Sequence, residues 1–523
     1  MPEYLSPGVY IQEVDSGPRP IEGVGTACAA FVGFAPAGPA NYPSLITNWS
    51  QYVETFGAIE EGGRHNAHLP GAYLSHAVYG YFLNGGGRCY VTRIVPESQN
   101  GKAADGAVKI EPLQLPSRSS KAMPSLTVGA KGTPVQDIEI EVSPPSGEAP
   151  ADGAFTLRVR MGQTEEVYEN VSISKQRGVK NVVETVNQES QIVTIVEETA
   201  TGSIVERTPE VGSYLLKAQQ TALMPKLNAS NFTGDVSDRS GMEGLEVAED
   251  VTMVCCPDLM GAYQSGAIDR DSVKAVQLSM IAHCERMGDR MAILDPLPEL
   301  SPQQAKVWRE RETNYDSKFA VLYYPWIKVA GVDGRPMAIP PSGHMAGIWA
   351  RNDNERGVHK APANEVVRGA LEAAAPVTKG EQDTLNPIGV NCIRSFTGRG
   401  LRVWGARTLS SDPAWRYVNV RRLFNYVEKS IEAGTQWVVF EPNDPDLWAR
   451  VRRDVGAFLT GAWREGMLFG LTPGEAFFVK CDEELNPPDV RDRGQLIIDV
   501  GLAPVKPAEF VVFRFRQFSG GGA

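Results

Sequence analysis

Three apolar runs set the fold of the chain's middle: VTMVC (residues 251–255), MAIL (291–294) and AVLYY (320–324). Helical stretches at residues 271–287 and 302–314 separate them, so strand and helix alternate. Consecutive strands joined through a helix pair in parallel through right-handed crossovers. The pattern therefore predicts an α/β core with a parallel sheet.

The segments before this core add to it and then interrupt it. Residues 26–99 hold an apolar strand at 27–34, a helix at 68–83 and a strand at 89–95. From 100 to 232 aromatic residues become rare and period-two alternation takes over, as in FTLRVR (155–160). This change predicts a surface antiparallel β domain at 100–232, inserted into a middle domain made of 26–99 and 233–385.

A further α+β domain is predicted at residues 386–503. It contains apolar runs typical of strands and two long helices, the second opening on Asp444 as N-cap with Pro445 at its first position. The predicted strands are 390–394, 437–441, 477–481 and 496–500.

Extended arms are predicted at both ends of the chain, at residues 1–25 and 504–523. The C-terminal segment VKPAEFVVFRFRQF (505–518) places Val511, Phe513 and Phe515 on one face of a strand and Val512 and Arg514 on the other. Prolines at 504 and 507 hold it off the preceding strand. The N-terminal segment SPGVYIQEV (6–14) contains a short strand around Val9, Tyr10 and Ile11. Each arm either pairs within its own subunit or adds a strand to another copy.

Composition restricts the class of protein. The chain has 523 residues, of which 42% are hydrophobic and 22% charged, and its net charge is −12. This balance predicts a multidomain globular chain without direct nucleic-acid binding, since phosphate contacts need a basic surface. Neither a long apolar run nor a signal sequence is present, so we expect no membrane insertion and cytoplasmic assembly. The seven cysteines fit no zinc or disulfide pattern and are predicted to be buried.

Charge is unevenly distributed along the chain. Residues 391–470 carry eleven Arg and one Lys against four Asp and four Glu, a net charge of +4. A basic C-terminal module predicts an acidic partner surface. Arg450 and Arg453 lie off the apolar stripe of the second long helix and are candidate contacts, although an ordinary solvated helix face fits them equally well.

Candidate enzymatic residues are few. Asp258 and Asp295 follow apolar strands, where open α/β sheets bind ligands, but both lie beside proline as turn-forming aspartates do. His65, His68 and His76 have no nearby acidic or Cys partners for a metal. No glycine-rich phosphate loop and no G-x-S-x-G motif is present. We therefore predict no enzyme activity, no cofactor and no metal; the alternative is an α/β enzyme with a pocket near Asp258 and Asp295.

Several sequence blocks at the two ends and in the body of the chain are distinctive. The N-terminal SPGVYIQE (6–13) and the NGGGRCYVTR segment (84–93) are two of them. The C-terminal series is more specific: LNPIGVN (385–391), WRYVNVRR (415–422), FEPN (440–443), FFVKCD (477–482) and PAEFVVF (507–513). Together these blocks resemble contractile tail sheath proteins of phages and phage-tail-like injection particles.

The resemblance implies a structural subunit rather than an enzyme. Sheath subunits of this family form hexameric rings stacked in a helix around an inner tube protein, with baseplate and terminator or cap proteins at the ends. Their arms add strands to neighbouring copies while the bodies move and drive the tube outward through a target envelope. In this chain the arm strands correspond to residues 9–11 and 511–515, and the linkers around Gly17, Pro18, Pro504 and Pro507 become candidate hinges. A baseplate or adaptor component that does not polymerise is the remaining alternative.

Overall fold

The computed structural model describes residues 20–59, 64–95, 112–119, 123–131, 138–147, 152–161, 164–176, 179–190, 192–198, 202–216, 227–331 and 334–514. Residues 20–95 begin the main sheet and supply one helix that packs on it. Their elements are β1 (Cys28–Gly33), β2 (Ser44–Ile46), α1 (Trp49–Phe56), β3 (Ala58–Ile59), β4 (His65–Asn66), α2 (Leu74–Leu83) and β5 (Arg88–Arg93).

Residues 112–216 are mainly strands and form a hydrophobic core of their own. Residues 138–143 show the reason: Ile138, Ile140 and Val142 are buried while Glu139 and Glu141 between them are exposed, the period of a half-buried strand. The elements up to residue 233 are β6 (Leu113–Pro116), β7 (Pro124–Ala130), β8 (Ile138–Ser143), β9 (Phe155–Met161), β10 (Thr164–Ser172), β11 (Lys180–Asn181), α3 (Val182–Glu189), β12 (Val193–Glu197), α4 (Ile204–Arg207), β13 (Gly212–Leu216) and α5 (Ala229–Thr233).

Residues 243–403 complete the main sheet. Short 3-10 helices cover Glu243–Val247 and Asn386–Ile388, and a π-helical turn covers Trp308–Thr313. The other elements are β14 (Met253–Cys255), α6 (Asp258–Gln264), α7 (Arg270–Met287), β15 (Met291–Leu294), α8 (Pro302–Val307), β16 (Ala320–Tyr324), β17 (Ile327–Ala330), β18 (Pro336–Ile339), α9 (Ser342–Arg356), β19 (Ala370–Ala373), α10 (Lys379–Leu385), β20 (Val390–Phe396) and β21 (Gly400–Val403).

Two long helices dominate the C-terminal module. Asp444 caps the second by accepting a hydrogen bond from the Leu447 N–H at 2.8 Å, and Pro445 stands at its first position. Short 3-10 helices cover Pro413–Trp415 and Gln436–Val438. The other elements are α11 (Val418–Gly434), α12 (Pro445–Arg464), α13 (Pro473–Ala476), β22 (Phe477–Lys480), α14 (Pro488–Arg491) and β23 (Asp499–Leu502).

The main sheet has eight strands in the order β2-β5-β1-β14-β15-β16-β20-β21. The six strands from β5 to β20 are parallel, and β2 and β21 run antiparallel at the two edges. Strands β1, β14, β15 and β16 are buried at every position, which explains their continuous apolar sequence. The prediction of a mixed α/β chain with several sheets is confirmed.

The described residues form three hydrophobic cores. The first joins residues from the β1–β5 region with residues between Leu227 and Val418. The second lies within residues 115–216. The third lies between α11, α12 and the β22–β23 ribbon and includes Ile21. The seven cysteines are all buried free thiols, as predicted.

Two sequence predictions for the C-terminal region need correction. The domain predicted at 386–503 would contain β20 and β21, but β20 pairs in parallel with β16 and extends the main sheet. The strand predicted at 437–441 is wrong: this segment begins in a 3-10 helix, and Phe440 adopts a left-handed φ of 68°. Local composition favoured a strand, but no neighbouring strand pairs with it in the described chain.

Candidate assembly site

The C-terminal module presents a two-stranded antiparallel ribbon formed by β22 and β23. Phe477 lies opposite Leu502, and Lys480 lies opposite Asp499. In the part of the chain that the structure describes, no third strand joins this ribbon. Because each outer edge presents backbone N–H and C=O groups, the ribbon offers two places for an added strand.

The ribbon is fixed firmly to the module beneath it. Arg452 of α12 donates a hydrogen bond to the carbonyl of Cys481, directly after β22. The buried side chain of Asn486 holds the connecting loop, because its Nδ2 donates to the Ile497 carbonyl at 2.9 Å and its Oδ1 accepts from the Ile497 N–H at 2.7 Å. A two-stranded ribbon is only marginally stable alone, so these contacts provide a rigid support.

The C-terminal arm leaves the module through a backbone junction after β23. The Ala503 N–H donates to the Ala476 carbonyl at 2.9 Å, and Pro504 forms an antiparallel bridge with Leu468. The Asn419 side chain donates to the Val505 carbonyl at 3.1 Å. Residues 503–505 are therefore attached to the body rather than separate from it.

Glu509 then ties the arm to the edge of the central core. Its carboxylate accepts two hydrogen bonds from the Arg407 guanidinium, at 2.8 and 2.7 Å, one from Asn386 Nδ2 at 2.7 Å and one from the Tyr417 hydroxyl at 2.9 Å. Burial alone would raise the pKa of Glu509, but these hydrogen bonds outweigh it and the pKa lies below its usual value of 4.5. We call this four-residue arrangement the arm clamp.

Residues 510–514, which follow the arm clamp, are solvent-exposed and belong to no strand. Phe510, Val511, Val512 and Phe513 are each exposed by 69% or more. Arg514 is exposed as well. Exposed apolar residues in an uninterrupted run mark an interaction segment. Phe515 lies outside the described residues.

The N-terminal segment enters the molecule at the junction of the central core and the C-terminal module. Ile21 packs in the module's core. The hydroxyl of Thr26 donates to Asp353 of α9 at 2.6 Å, and Asp353 forms a buried bidentate pair with Arg422 of α11 at 2.8 and 2.6 Å. Arg422 also lies 4.7 Å from the centre of the Trp349 ring. The predicted strand residues Val9, Tyr10 and Ile11 and the linker residues Gly17 and Pro18 lie outside the described residues.

Arg450 and Arg453 both lie on α12. Arg450 pairs with Glu441 at 3.2 Å and lies 5.2 Å from the centre of the Trp437 ring, with its side chain 41% exposed. Arg453 donates to Asp454 at 3.0 Å and is 61% exposed. Both charges are accessible, but each already has an acidic neighbour within the subunit.

Asp258 and Asp295 act as caps for helices that are distant in sequence. Asp258 is fully buried and accepts hydrogen bonds from the backbone N–H groups of Phe34, Tyr73 and Leu74. Asp295 accepts from the N–H and the hydroxyl of Ser342, at 2.9 and 2.6 Å. Burial raises the pKa of each to about 7, although the hydrogen bonds act in the opposite direction.

The structure does not bring the enzymatic candidates together as a site. The acceptor atoms of both aspartates point at backbone or hydroxyl donors, and neither aspartate lines the cavity beside residues 24–26 or the cavity along α12. His68 and His76 stack with ring centres 4.6 Å apart, and His68 bonds to Ser75. The described residues contain no cluster of three His, Cys, Asp or Glu arranged for a metal ion.

Sequence reasoning missed the arm clamp and the Asp353–Arg422 pair. Glu509 stands in the PAEFVVF block as the one acidic residue among apolar ones, which is a usable signal, but its partner Arg407 is distant in sequence. Two charged partners separated by tens of residues leave no periodic pattern.

Comparisons with known proteins place the chain in a family. A family model described as the phage tail sheath protein central domain matches residues 240–409, and one described as the phage tail sheath C-terminal domain matches residues 410–518. Together they cover more than half of the chain. The chain belongs to the phage tail sheath family.

Sequence relatives agree with this assignment. The tail sheath protein of Burkholderia phage BcepMu is 22% identical to this sheath-family chain over 530 residues, covering 97% of this chain and 95% of the relative. The tail sheath protein of Vibrio phage KVP40 is 29% identical over 181 residues, which are 34% of this chain and 26% of the relative. This chain thus spans about a quarter of the KVP40 protein.

Solved structures share the fold along nearly the whole chain. A chain in the cryo-EM structure of the anti-feeding prophage baseplate is 25% identical, with a TM-score of 0.56 and coverage of 99% of this chain and 100% of that chain. A chain of the anti-feeding prophage helical sheath in the contracted state is 24% identical, with a TM-score of 0.59 and coverage of 98% and 99%. None of the described helices is long and apolar enough to cross a membrane.

Proposed function

We propose that this chain is the structural subunit of a contractile sheath, which polymerises helically around an inner tube and shortens to drive the tube through a target envelope. Membership of the tail sheath family supports the class. The observation that carries the proposal for this chain is the exposure of four consecutive apolar residues, 510–513, directly after the arm clamp.

Strand exchange is the proposed means of assembly. The C-terminal strand, Val511 to Phe515, adds to one edge of the β22–β23 ribbon of a neighbouring copy, and the N-terminal strand around Tyr10 adds to the other. Added strands gain backbone hydrogen bonds worth roughly 0.5–1.5 kcal/mol each and bury apolar side chains. Contacts of this head-to-tail kind do not close, so they propagate into a helical polymer.

The contacts at the arm root suggest where the C-terminal arm bends. Pro504 is bridged to Leu468, and Glu509 is held by the arm clamp, so the segment between them has little freedom in the subunit. We infer that Pro504 and Pro507 shape a fixed exit and that the pivot lies after Glu509. At the other end, Gly17 and Pro18 remain the proposed hinge.

Arg450 and Arg453 are proposed contacts to an acidic inner tube. Both are exposed on α12 within the basic region of the chain. Reversing both charges to Glu should separate tube from sheath in co-expressed particles without unfolding the subunit. Reversal of Arg158 and Arg160, which are similarly exposed on the inserted domain, is the matched control. Unchanged tube association in the Arg450 and Arg453 variant would remove this contact from the proposal.

Truncation after Glu509 tests the main proposal. This truncation keeps the arm clamp and removes the exposed segment, so the subunit should unfold at an unchanged temperature yet form no sheath in negative-stain images. The full-length chain, expressed with its tube, should form long polymers under the same conditions. Normal sheath from the truncated chain refutes strand exchange. Short, non-polymerising complexes from the full-length chain instead indicate a baseplate or adaptor component.

A further inference from the structure

A groove runs along α12 where the described N-terminal segment begins. It has a volume of about 670 Å³, within the roughly 300–1,000 Å³ usual for binding pockets. Two small residues of α12, Ala457 and Gly461, line it together with the aromatic residues Tyr426 and Phe458. Pro20 and Ile21 line the same groove. The chain outside the described residues therefore starts at the groove itself.

One polar atom in the groove lacks a partner. The Asp454 carboxylate is 11% exposed, and its Oδ1 accepts from Arg453. Its Oδ2 is buried and has no hydrogen-bond partner among the described residues. A buried carboxylate oxygen without a donor is unfavourable, so a small shift of Asp454 that lets an occupant's N–H group reach this oxygen would be favourable. The exposed guanidinium of Arg453 adds a site for an acidic side chain at the same place.

We propose that the groove holds the N-terminal segment of its own chain, residues 9–15, in the unassembled subunit. Nineteen residues precede Pro20. The nine residue-to-residue steps from Ile11 to Pro20 span about 30 Å when extended, which is about the length of the 20-residue helix α12 at 1.5 Å per residue.

The chemistry of the segment suits the groove. Val9, Tyr10 and Ile11 supply apolar side chains to pack against Tyr426 and Phe458. Glu13 and Asp15 carry the charge opposite to that of Arg453 at one end of the groove, whereas the acidic Glu465 lines the other end. Backbone N–H groups of an extended chain supply the donor that Asp454 Oδ2 lacks. Ala457 and Gly461 leave room for backbone to approach the helix closely.

This inference rests on the proposed strand exchange and adds a regulatory step to it. A segment held in its own groove is unavailable to a neighbour's ribbon, so the free subunit is kept from polymerising prematurely. Assembly then transfers the same segment from the groove to the ribbon of another copy.

Disulfide trapping in the full-length subunit tests the inference. Because the seven native cysteines are buried, the double variant Tyr10→Cys, Ala457→Cys reports on its own pair. In the monomer fraction from gel filtration, we expect an intrachain disulfide at least about tenfold more abundant than in the control Tyr10→Cys, Gly474→Cys. Gly474 is exposed, lies outside the groove and has room for a side chain.

Each outcome of the trapping experiment decides the matter. An intrachain disulfide in monomers, lost on assembly, supports the inference. If disulfides form only between chains, a neighbour's segment occupies the groove and the inference is overturned. Equal cross-linking in the control overturns it as well.

A second variant, Ala457→Trp, fills the groove and should shorten the lag before polymerisation several-fold. If the full-length chain forms no polymer at all, strand exchange fails, while trapping in monomers still decides the occupant.

Discussion

Two buried aspartates replace local caps at helix starts. Asp258 serves α2 and Asp295 serves α9, and neither helix has a capping side chain of its own. Since burial raises both pKa values to about 7, the folded state binds protons more tightly than the unfolded state. Their contribution to stability is therefore complete below the ordinary Asp pKa of about 4 and is lost as the pH rises towards 7.

Substitution by asparagine should affect stability differently at Asp258 and at Asp295. Asp295→Asn keeps both bonds to Ser342, because Oδ1 accepts from the N–H and Nδ2 donates to the hydroxyl. Asp258→Asn cannot accept at both of its positions, so one backbone N–H loses its partner. We expect Asp295→Asn to be more stable than Asp258→Asn by about 1–3 kcal/mol. Urea denaturation of the subunit at pH 5 and pH 8 measures this difference. The native subunit should be less stable at pH 8 than at pH 5, and Asp295→Asn should make that loss of stability smaller. Equal stability of the variants contradicts the assignment.

The Asp353–Arg422 pair is expected to stabilise the junction of core and C-terminal module. Its side chains are 3% and 4% exposed, so removing one partner leaves a buried charge. Asp353→Asn or Arg422→Met should each lower the free energy of unfolding by about 3–5 kcal/mol, and Asp353→Leu combined with Arg422→Met should cost less than the two single changes together. Glu441→Gln, which breaks the exposed pair with Arg450, is the control and should cost at most about 1 kcal/mol. If the losses of unfolding free energy in the two single variants add up to that of the double variant, the pair does not stabilise this junction.

At the scale of elements, the arm clamp joins the C-terminal arm to the edge of the main fold. Glu509 of the arm accepts hydrogen bonds from Asn386, Arg407 and Tyr417. Because these contacts lower its pKa, the clamp is fully charged at neutral pH and weakens only as the pH falls below about 4.5.

Glu509→Gln should loosen the arm root without unfolding the subunit. Glutamine keeps one acceptor oxygen but places an amide against the donors of Arg407. Hydrogen exchange at residues 505–509 should accelerate, and the subunit concentration needed for sheath formation should rise several-fold. Gln495→Glu, at another exposed site in the module, is a control that should leave both unchanged. Unaltered exchange at 505–509 means that the backbone junction alone holds the arm.

At the scale of the whole molecule, we expect the inserted domain to be a separate folding unit. Among the described residues its core is formed from 115 to 216, while Ile94 before it and Leu227 after it both belong to the central core. Replacing residues 96–226 with a short Gly/Ser linker should therefore yield a folded chain that still polymerises. The circular dichroism of its helices and negative-stain images of its polymers measure this. Aggregation or unfolding on removal would show that the two cores depend on each other.

Much of the fold was predictable because its signals are local. The buried strands β14, β15 and β16 are continuous apolar runs, and β8 and β9 alternate strictly. Two adjacent residues, the N-cap Asp444 and Pro445, mark the start of α12. The arm residues Val511 and Phe513 were found in the same way, from period-two spacing beside prolines; the strand that they join stays a prediction.

Local patterns determined the strands, helices, insertion and exposed arm of this sheath-family chain, because each depends on neighbours a few residues apart. Only the tertiary structure decided that β20 and β21 extend the main sheet, that Asp258 and Asp295 cap distant helices, and that Glu509 is held by Arg407. These features join residues separated by tens to hundreds of positions. Their partners are selected by burial and hydrogen-bond geometry, which exist only once the chain has folded.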